Sequence, residues 1–250
     1  MSKINVNTWE PETGTTITAG ASGDTVTVPS GASLVVASGA TINITDATQT
    51  GFPSAGFNSV QVFTSSGTWT KPTDITKVIV TLVGGGGGGG AGNPPTYWGG
   101  SGGGAGVIRC VLDVSSIATS ALVIGAGGAI SGGTGGSTTW TDSTHTLTAT
   151  GGTGGSGAGG SWHGAGGAGG VPVVTAGSPL SQLLLTGGKG TKGSAGGSSP
   201  GLPLLGYGYA AYNYGDTGNQ TQTGYGVAGY GQQTGSTVGT GGIVIVEEFK

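Results

Sequence analysis

Apolar and polar residues alternate in short runs along much of this chain, and those runs predict strands. Ser59-Val-Gln-Val-Phe-Thr64 alternates, Thr68-Trp-Thr70 follows a Ser-Gly turn, and Lys77-Val-Ile-Val-Thr-Leu-Val83 places Val78, Val80 and Leu82 on one face. Further strands are expected at Gly106 to Val114, Ala121 to Gly125, Ser137 to Thr141, Thr144 to Thr150 and Ile243 to Phe249. No stretch carries a helical period, so the predicted class is all-β. The last run, Ile243-Val-Ile-Val246, needs burial. A sandwich in which it returns beside an early strand closes the core and brings the two chain ends of the domain together.

A different pattern precedes this region. Ser22-Gly-Asp-Thr-Val-Thr-Val-Pro, Ser30-Gly-Ala-Ser-Leu-Val-Val-Ala and Ser38-Gly-Ala-Thr-Ile-Asn-Ile-Thr repeat with a period of eight, each a Ser-Gly turn followed by an alternating strand. Such a unit cannot bury its apolar face alone, and Val26, Val28, Leu34, Val36, Ile42 and Ile44 need partners. An intertwined trimer is favoured over a short solenoid. Thr48 to Ala55, broken by Gly51 and Pro53, reads as a linker. The expected organisation is a stem with β repeats over 1–55 and a glycine-rich β-sandwich with long glycine-rich loops over 56–250.

Glycine is the feature that alternation does not explain. The chain has 61 in 250 residues, including seven in a row, Gly84 to Gly90, directly behind the Lys77 to Val83 run. Glycine-rich stretches recur at Gly99 to Gly106, Ser131 to Gly136, Gly151 to Gly170 and Gly187 to Gly197. No sustained Gly-X-Y register with proline exists, which excludes collagen. Two physical readings remain: mobile loops, or left-handed polyglycine helices with three residues per turn, packed side by side with backbone N–H groups bonded to neighbours. The phrasing Gly132-Gly-Thr-Gly-Gly-Ser137 and Gly151-Gly-Thr-Gly-Gly-Ser156 favours the second.

Charge and chemistry narrow the function classes. Charged residues are 7% of the chain and the net charge is −3, so no basic footprint for nucleic acid exists. The N-terminal residues lack the apolar core of a signal peptide, and no apolar stretch is long enough to span a bilayer, so no membrane insertion is expected. One cysteine, Cys110, rules out an intrachain disulfide and a multi-thiolate metal site, and its strand setting makes it a core residue. Gly188-Lys189-Gly190 and Lys192-Gly193 fail the phosphate-binding loop pattern, and G-x-G-x-x-G matches are expected by chance. His145 and His163 lack triad or metal-ligand company. Asp142 and Asp216 are the nearest thing to a carboxylate pair, but nothing singles them out for hydrolysis. No enzyme activity, catalytic residue, metal or cofactor is expected.

The blocks Phe63-Thr-Ser-Ser-Gly-Thr-Trp-Thr-Lys-Pro72, Val78 to Gly90, Leu122-Val-Ile-Gly-Ala-Gly-Gly128, Leu147-Thr-Ala-Thr-Gly-Gly152 and Gly241-Gly-Ile-Val-Ile-Val246 resemble, in order, the glycine-rich domain of bacteriophage tail fibre and receptor-binding proteins. The Ser22 to Thr45 repeats resemble stems found ahead of fibre tips in marine phage proteins. The resemblance implies a homotrimeric virion appendage, assembled in the host cytoplasm. Its N-terminal segment would join other tail or baseplate proteins, and its tip would adhere to a host-surface glycan or outer-membrane component. The alternative is a purely structural virion protein, such as a head fibre, decoration or connector protein.

Aromatic residues mark candidate contacts. Tyr207, Tyr209, Tyr212, Tyr214, Tyr225 and Tyr230 are interleaved with Gly, Asn and Gln, the composition of adaptable recognition loops. Tyr97 with Trp98, and Trp162 with His163, interrupt two other glycine stretches. These ten residues are the receptor-binding candidates, against the alternative that the rings only pin the loops. Trp69 and Trp140, within strand patterns, are expected in the core.

Overall fold

The computed structural model describes residues 56–160, 162–193, 224–232 and 235–250. The eight-residue repeats, the linker and Tyr207 to Tyr214 lie outside these. The chain divides into Met1–Phe52 and Pro53–Lys250, and all described residues belong to the second unit.

That unit is all-β. Its described residues form ten strands: β1 (Phe57–Phe63), β2 (Gly67–Thr70), β3 (Lys77–Val83), β4 (Val107–Asp113), β5 (Thr119–Val123), β6 (Thr138–Thr141), β7 (Thr146–Ala149), β8 (Pro172–Ala176), β9 (Ser181–Leu185) and β10 (Ile243–Phe249). They make two antiparallel sheets of five strands, ordered β1-β10-β3-β4-β9 and β2-β5-β6-β7-β8. The C-terminal strand returns between β1 and β3, as its need for burial requires. The consecutive strands β8 and β9 were not expected from the sequence, and the chain between them passes from one sheet to the other. Each forms an edge of its own sheet, which is where Pro172 at the first position of β8 is tolerated.

The alternation of β3 sets the core. Val78, Val80 and Leu82 point between the sheets with Ile108, Leu112, Val244 and Val246, against Trp69, Leu122, Trp140 and Leu147 of the facing sheet. The indoles of Trp69 and Trp140 pack with centroids 5.2 Å apart, tilted by 41°. Both are fully buried and both indole N–H groups are satisfied by carboxylates: Trp69 bonds Glu248 at 2.7 Å and Trp140 bonds Asp142 at 2.8 Å. The neighbouring acids Glu247 and Glu248 fall on opposite faces of β10, as the strand period dictates. Glu248 is buried and also accepts from Ser59 and Gln61, whereas Glu247 is paired with Arg109 at 2.8 Å on the outer face.

Beyond one end of the sandwich the strands continue as glycine segments. β3 runs into 84–90, 99–106 runs into β4, β7 runs into 150–157, and 163–170 runs into β8. Within 84–90 the N–H groups of Gly84, Gly87 and Gly90 bond Gly106, Gly103 and Gly100, those of Gly85 and Gly88 bond Gly136 and Gly133, and those of Gly86 and Gly89 bond Thr240 and Thr237. Every third residue thus addresses the same neighbour. This is the signature of threefold polyglycine helices bonded laterally in a bundle. The glycine runs among the described residues are therefore ordered.

Absence of a Cβ, rather than freedom of φ, is what these positions require. None of residues 84–90 has φ in the left-handed region, yet a Cβ on Gly88 would lie 1.8 Å from the Ala129 carbonyl oxygen and one on Gly86 2.0 Å from that of Val227. Segments 84–90 and 99–106 are buried throughout, while 150–157 and 163–170 expose one residue in three, and there the Gly-Gly-X pattern places Thr153, Ser156, Ala165 and Ala168. At this rim the hydroxyls replace lattice partners. Thr150, Thr153 and Ser156 accept from the N–H groups of Val171, Ala168 and Ala165 at 2.6, 2.5 and 2.7 Å. Thr240 and Thr237 do the same for Val227 and Tyr230, at 2.7 and 2.6 Å.

The opposite end of the sandwich holds both ends of the described domain. Gly56 and Lys250 exchange backbone bonds of 3.4 and 3.1 Å beside Phe57 and Phe249. At the ~3.1 Å rise of such helices, seven residues extend on the order of 20 Å, so the bundle's far turns stand well beyond the sandwich.

Candidate functional site

The far end of the bundle is made of turns, and two of them hold the aromatic residues. In the first, between 84–90 and 99–106, Asn93 and Tyr97 form an antiparallel bridge with backbone bonds of 2.9 and 3.0 Å. In the second, between 150–157 and 163–170, Gly159 bonds the Trp162 carbonyl at 3.1 Å. The two turns are joined directly. Ala158 N–H donates to Ala91 at 2.7 Å, Gly164 N–H donates to Trp98 at 2.8 Å, and the Trp98 N–H donates to Nδ1 of His163 at 3.0 Å.

That last bond fixes the imidazole. Nδ1 accepts in this bond, which leaves Nε2 as the ring's donor. The Tyr97 ring stands edge-on to the His163 ring, with centroids 5.5 Å apart and planes at 72°. Trp162 is 62% exposed, and a Cβ on Gly159 would lie 2.5 Å from its Cε2. The indole therefore rests one face on the bare backbone of Gly159 and turns the other outward.

Two further turns share this end. The Ala129 to Gly133 turn, with Ser131 and Gly132 at φ 64° and 89°, is tied to the Gly231–Ser236 bridge by Ser131 N–H donating to Ser236 Oγ at 2.9 Å. Neither pair of turns carries an acidic or basic side chain among its described residues, His163 aside.

The structure brings together Tyr97, Trp98, Trp162 and His163 from the sequence-derived set. It separates Tyr225, which packs on Val83, Ala105, Val107 and Ile243 where sandwich meets bundle; Tyr230 lies one residue before the Gly231–Ser236 bridge at the tip end, where Gln232 accepts from Gly99 N–H at 3.3 Å, and its own N–H donates to Thr237 Oγ1. Gly159 was missed as a site residue. The signal was its position three residues before a tryptophan in a tight turn.

Other chemistry is locked. Burial pushes the Cys110 thiol up to about 12, leaving no thiolate at neutral pH. Asp142 has no exposed side-chain surface; burial opposes its charge. Bonds from the His145 and Thr144 N–H groups, the Trp140 indole and the His145 side chain outweigh that and hold its carboxyl below the usual carboxylate range. His145 is pinned by the same carboxylate at 3.2 Å. On the outer face of the first sheet an open depression of about 260 Å³ is lined by Arg109, Gln182 and Leu183, but the guanidinium is already engaged by Glu247 and Thr81. Among the described residues no group of three or more metal-ligating side chains exists, and no helix is long and apolar enough to cross a membrane.

No curated protein matches the chain. A family model described as the glycine-rich domain matches residues 58–245, from β1 through the whole bundle to β10, and the chain belongs to that glycine-rich domain family.

Proposed function

We propose that the chain is a bacteriophage tail fibre or receptor-binding protein, a virion component whose bundle tip adheres to the host cell surface. The observation that carries this reading is the tip itself. Two turns, clasped by the Trp98–His163 bond, hold Tyr97 and an exposed Trp162 at the pole opposite Gly56 and Lys250. A stiff bundle with its aromatic residues at the far end and its chain connection at the near end suits an adhesin. The reading is non-catalytic, with no cofactor and no nucleic-acid partner. Copies associate as a homotrimer through the repeats of the N-terminal segment, which also joins other virion proteins, and avidity from several tips compensates for weak single contacts.

The test is adsorption of the purified full chain to a panel of bacterial cells. Binding to one or more strains, lost in Tyr97→Ala/Trp162→Ala with the melting temperature retained, is expected. Binding by the double variant equal to the parent would sink the recognition role.

A second reading, a purely structural virion protein, is favoured by a specific feature. The outer face of the first sheet exposes Val60, Val62 and Leu183, a surface suited to packing against another chain. A protein of that kind binds no cells, and its assembly fails on Val60→Asp or Val62→Asp.

A further inference from the structure

We propose that the tip takes an uncharged saccharide, whose apolar C–H face stacks on the open side of the Trp162 indole. The proposal deepens the reading of the tip as a recognition surface and rests on it.

An exposed tryptophan admits several ligand classes, and the geometry separates them. One face of the ring is occupied by the Gly159 backbone, since a Cβ there would lie 2.5 to 2.8 Å from Cε2, Cζ2 and Nε1. Only one face remains to stack on. That disfavours a quaternary ammonium caged between rings, while a nucleotide, whose base one face could stack, would bring a phosphate that no basic side chain of these turns meets. Tyr97 stands edge-on to His163, and among the described residues no ring pairs with Trp162.

Charge disfavours anions. Residues 91–98, 129–133, 157–160 and 231–232 carry no basic side chain, and 194–223 contains a single charged residue, Asp216. Lys192, next to Gly193 at the Trp98 carbonyl, is the cation nearest the tip along the chain, and one exposed lysine is a weak anchor for a phosphate or uronate. What the two turns do offer is amide and hydroxyl chemistry. Asn93 and Thr96 lie on the turn that bears Tyr97, and the bond at Nδ1 leaves Nε2–H of His163 as a donor. A flat apolar platform rimmed by uncharged donors and acceptors matches a pyranose, with one C–H face and a belt of hydroxyls.

The ring is also held before any ligand arrives. The Gly159–Trp162 bridge fixes the backbone, and His163 is fixed to the next turn, so little ordering is left to binding.

The experiment applies the full chain to immobilised neutral and acidic glycans and, in parallel, to the bacterial panel. Expected are binding to neutral glycans, insensitivity to salt, roughly tenfold or greater loss in Trp162→Ala, partial loss in Gly159→Ala where the added methyl displaces the ring, and parental binding in Lys192→Ala. Melting curves confirm that each variant folds. Binding confined to acidic glycans and lost in Lys192→Ala overturns the proposal, as does parental binding by Trp162→Ala. Cells bound with no glycan bound overturns it while leaving the adhesin reading standing, and neither bound overturns both.

Discussion

At Val83 the β3 chain still fills a core with its side chain; one residue later, at Gly84, it has no side chain and an added Cβ would meet the Thr150 carbonyl oxygen at 2.5 Å. The sandwich and the bundle are continuous passages of the same strands, yet they cohere by different means. In the sandwich, side chains interdigitate between sheets and the hydrophobic effect dominates. In the bundle, backbones touch directly, and the holding forces are lateral hydrogen bonds of 2.7 to 3.1 Å along 84–90 together with dispersion between bare chains. One region can exchange a side chain for another of similar volume, and the other has no side chain to exchange. The comparison turns on what a single methyl group does in each.

The largest break is predicted for Gly88→Ala combined with Gly103→Ala. The new Cβ atoms would lie 1.8 Å from the Ala129 carbonyl oxygen and 1.9 Å from that of Ala168, both backbone atoms held in place by their own bonds. Overpacking costs up to about 3 kcal/mol at an ordinary core site, so the pair is expected to destabilise by on the order of 6 kcal/mol. Urea denaturation of the full chain measures it. A loss under about 1 kcal/mol would show that the bundle can breathe and that glycine is not sterically required there.

Leu82, just before the junction, should behave in the opposite sense. Leu82→Ala empties part of the core and is expected to cost about 2–5 kcal/mol, whereas Leu82→Met, similar in volume, should cost less than about 1.5 kcal/mol. Equal losses for the two would mean that the sandwich is as intolerant of shape as the bundle.

This division also explains what the sequence made legible. The sandwich was readable because period-two alternation records burial: β3, β4, β6 and β10 fall where Val78, Ile108, Trp140 and Val244 demanded them. β8 and β9 were not, because edge strands are half exposed and Ser181-Gln-Leu-Leu-Leu185 does not alternate. In the bundle the legible signal was Gly-Gly-X, since a period of three leaves one outward position. Which helix bonds which was not legible, because glycine writes no identity into the sequence. At the tip, aromatic residues identified themselves by breaking glycine runs, but Tyr225 broke one too and packs at the junction. Only the fold distinguishes a ring at a turn from a ring against a sheet.

Titration of Asp142 should act on the sandwich. Burial opposes the charge of Asp142, but the N–H groups of His145 and Thr144 and the Trp140 indole prevail, so its folded pKa lies below the ordinary value. A lowered folded pKa gives stability that is complete above the unfolded value of about 3.9 and is lost as pH falls through the folded one. Acidification below about pH 4 is therefore expected to weaken the sandwich. Asp142→Asn should remove this portion of the acid dependence and lower neutral-pH stability by about 1–3 kcal/mol. Unfolding followed by Trp69 and Trp140 fluorescence across pH reads both. An Asp142→Asn acid profile identical to the parent's would remove this carboxylate from the account.

The bundle's rim should respond more mildly than its interior. Thr153→Val keeps the shape and removes the hydroxyl that accepts from Ala168 N–H at 2.5 Å, at a position open to water. Water can substitute there, so a loss of about 1 kcal/mol is expected. Faster exchange of the Ala168 amide, with the amides of 84–90 unchanged, would localise the effect to the rim.

The smallest predicted effect is of opposite sign. Gly160 sits in the tip turn, its φ lies outside the left-handed region, and a Cβ there would meet nothing within 4 Å. Gly160→Ala should therefore fit the native backbone while restricting the unfolded chain, stabilising by about 0.4–1 kcal/mol. Against Gly88→Ala, the same added methyl changes sign because one glycine faces open space and the other faces a carbonyl. A destabilised Gly160→Ala, measured in the same urea series, would mean that glycine at this turn is needed for its backbone conformation as well, and that the contrast between the two sites cannot be assigned to space alone.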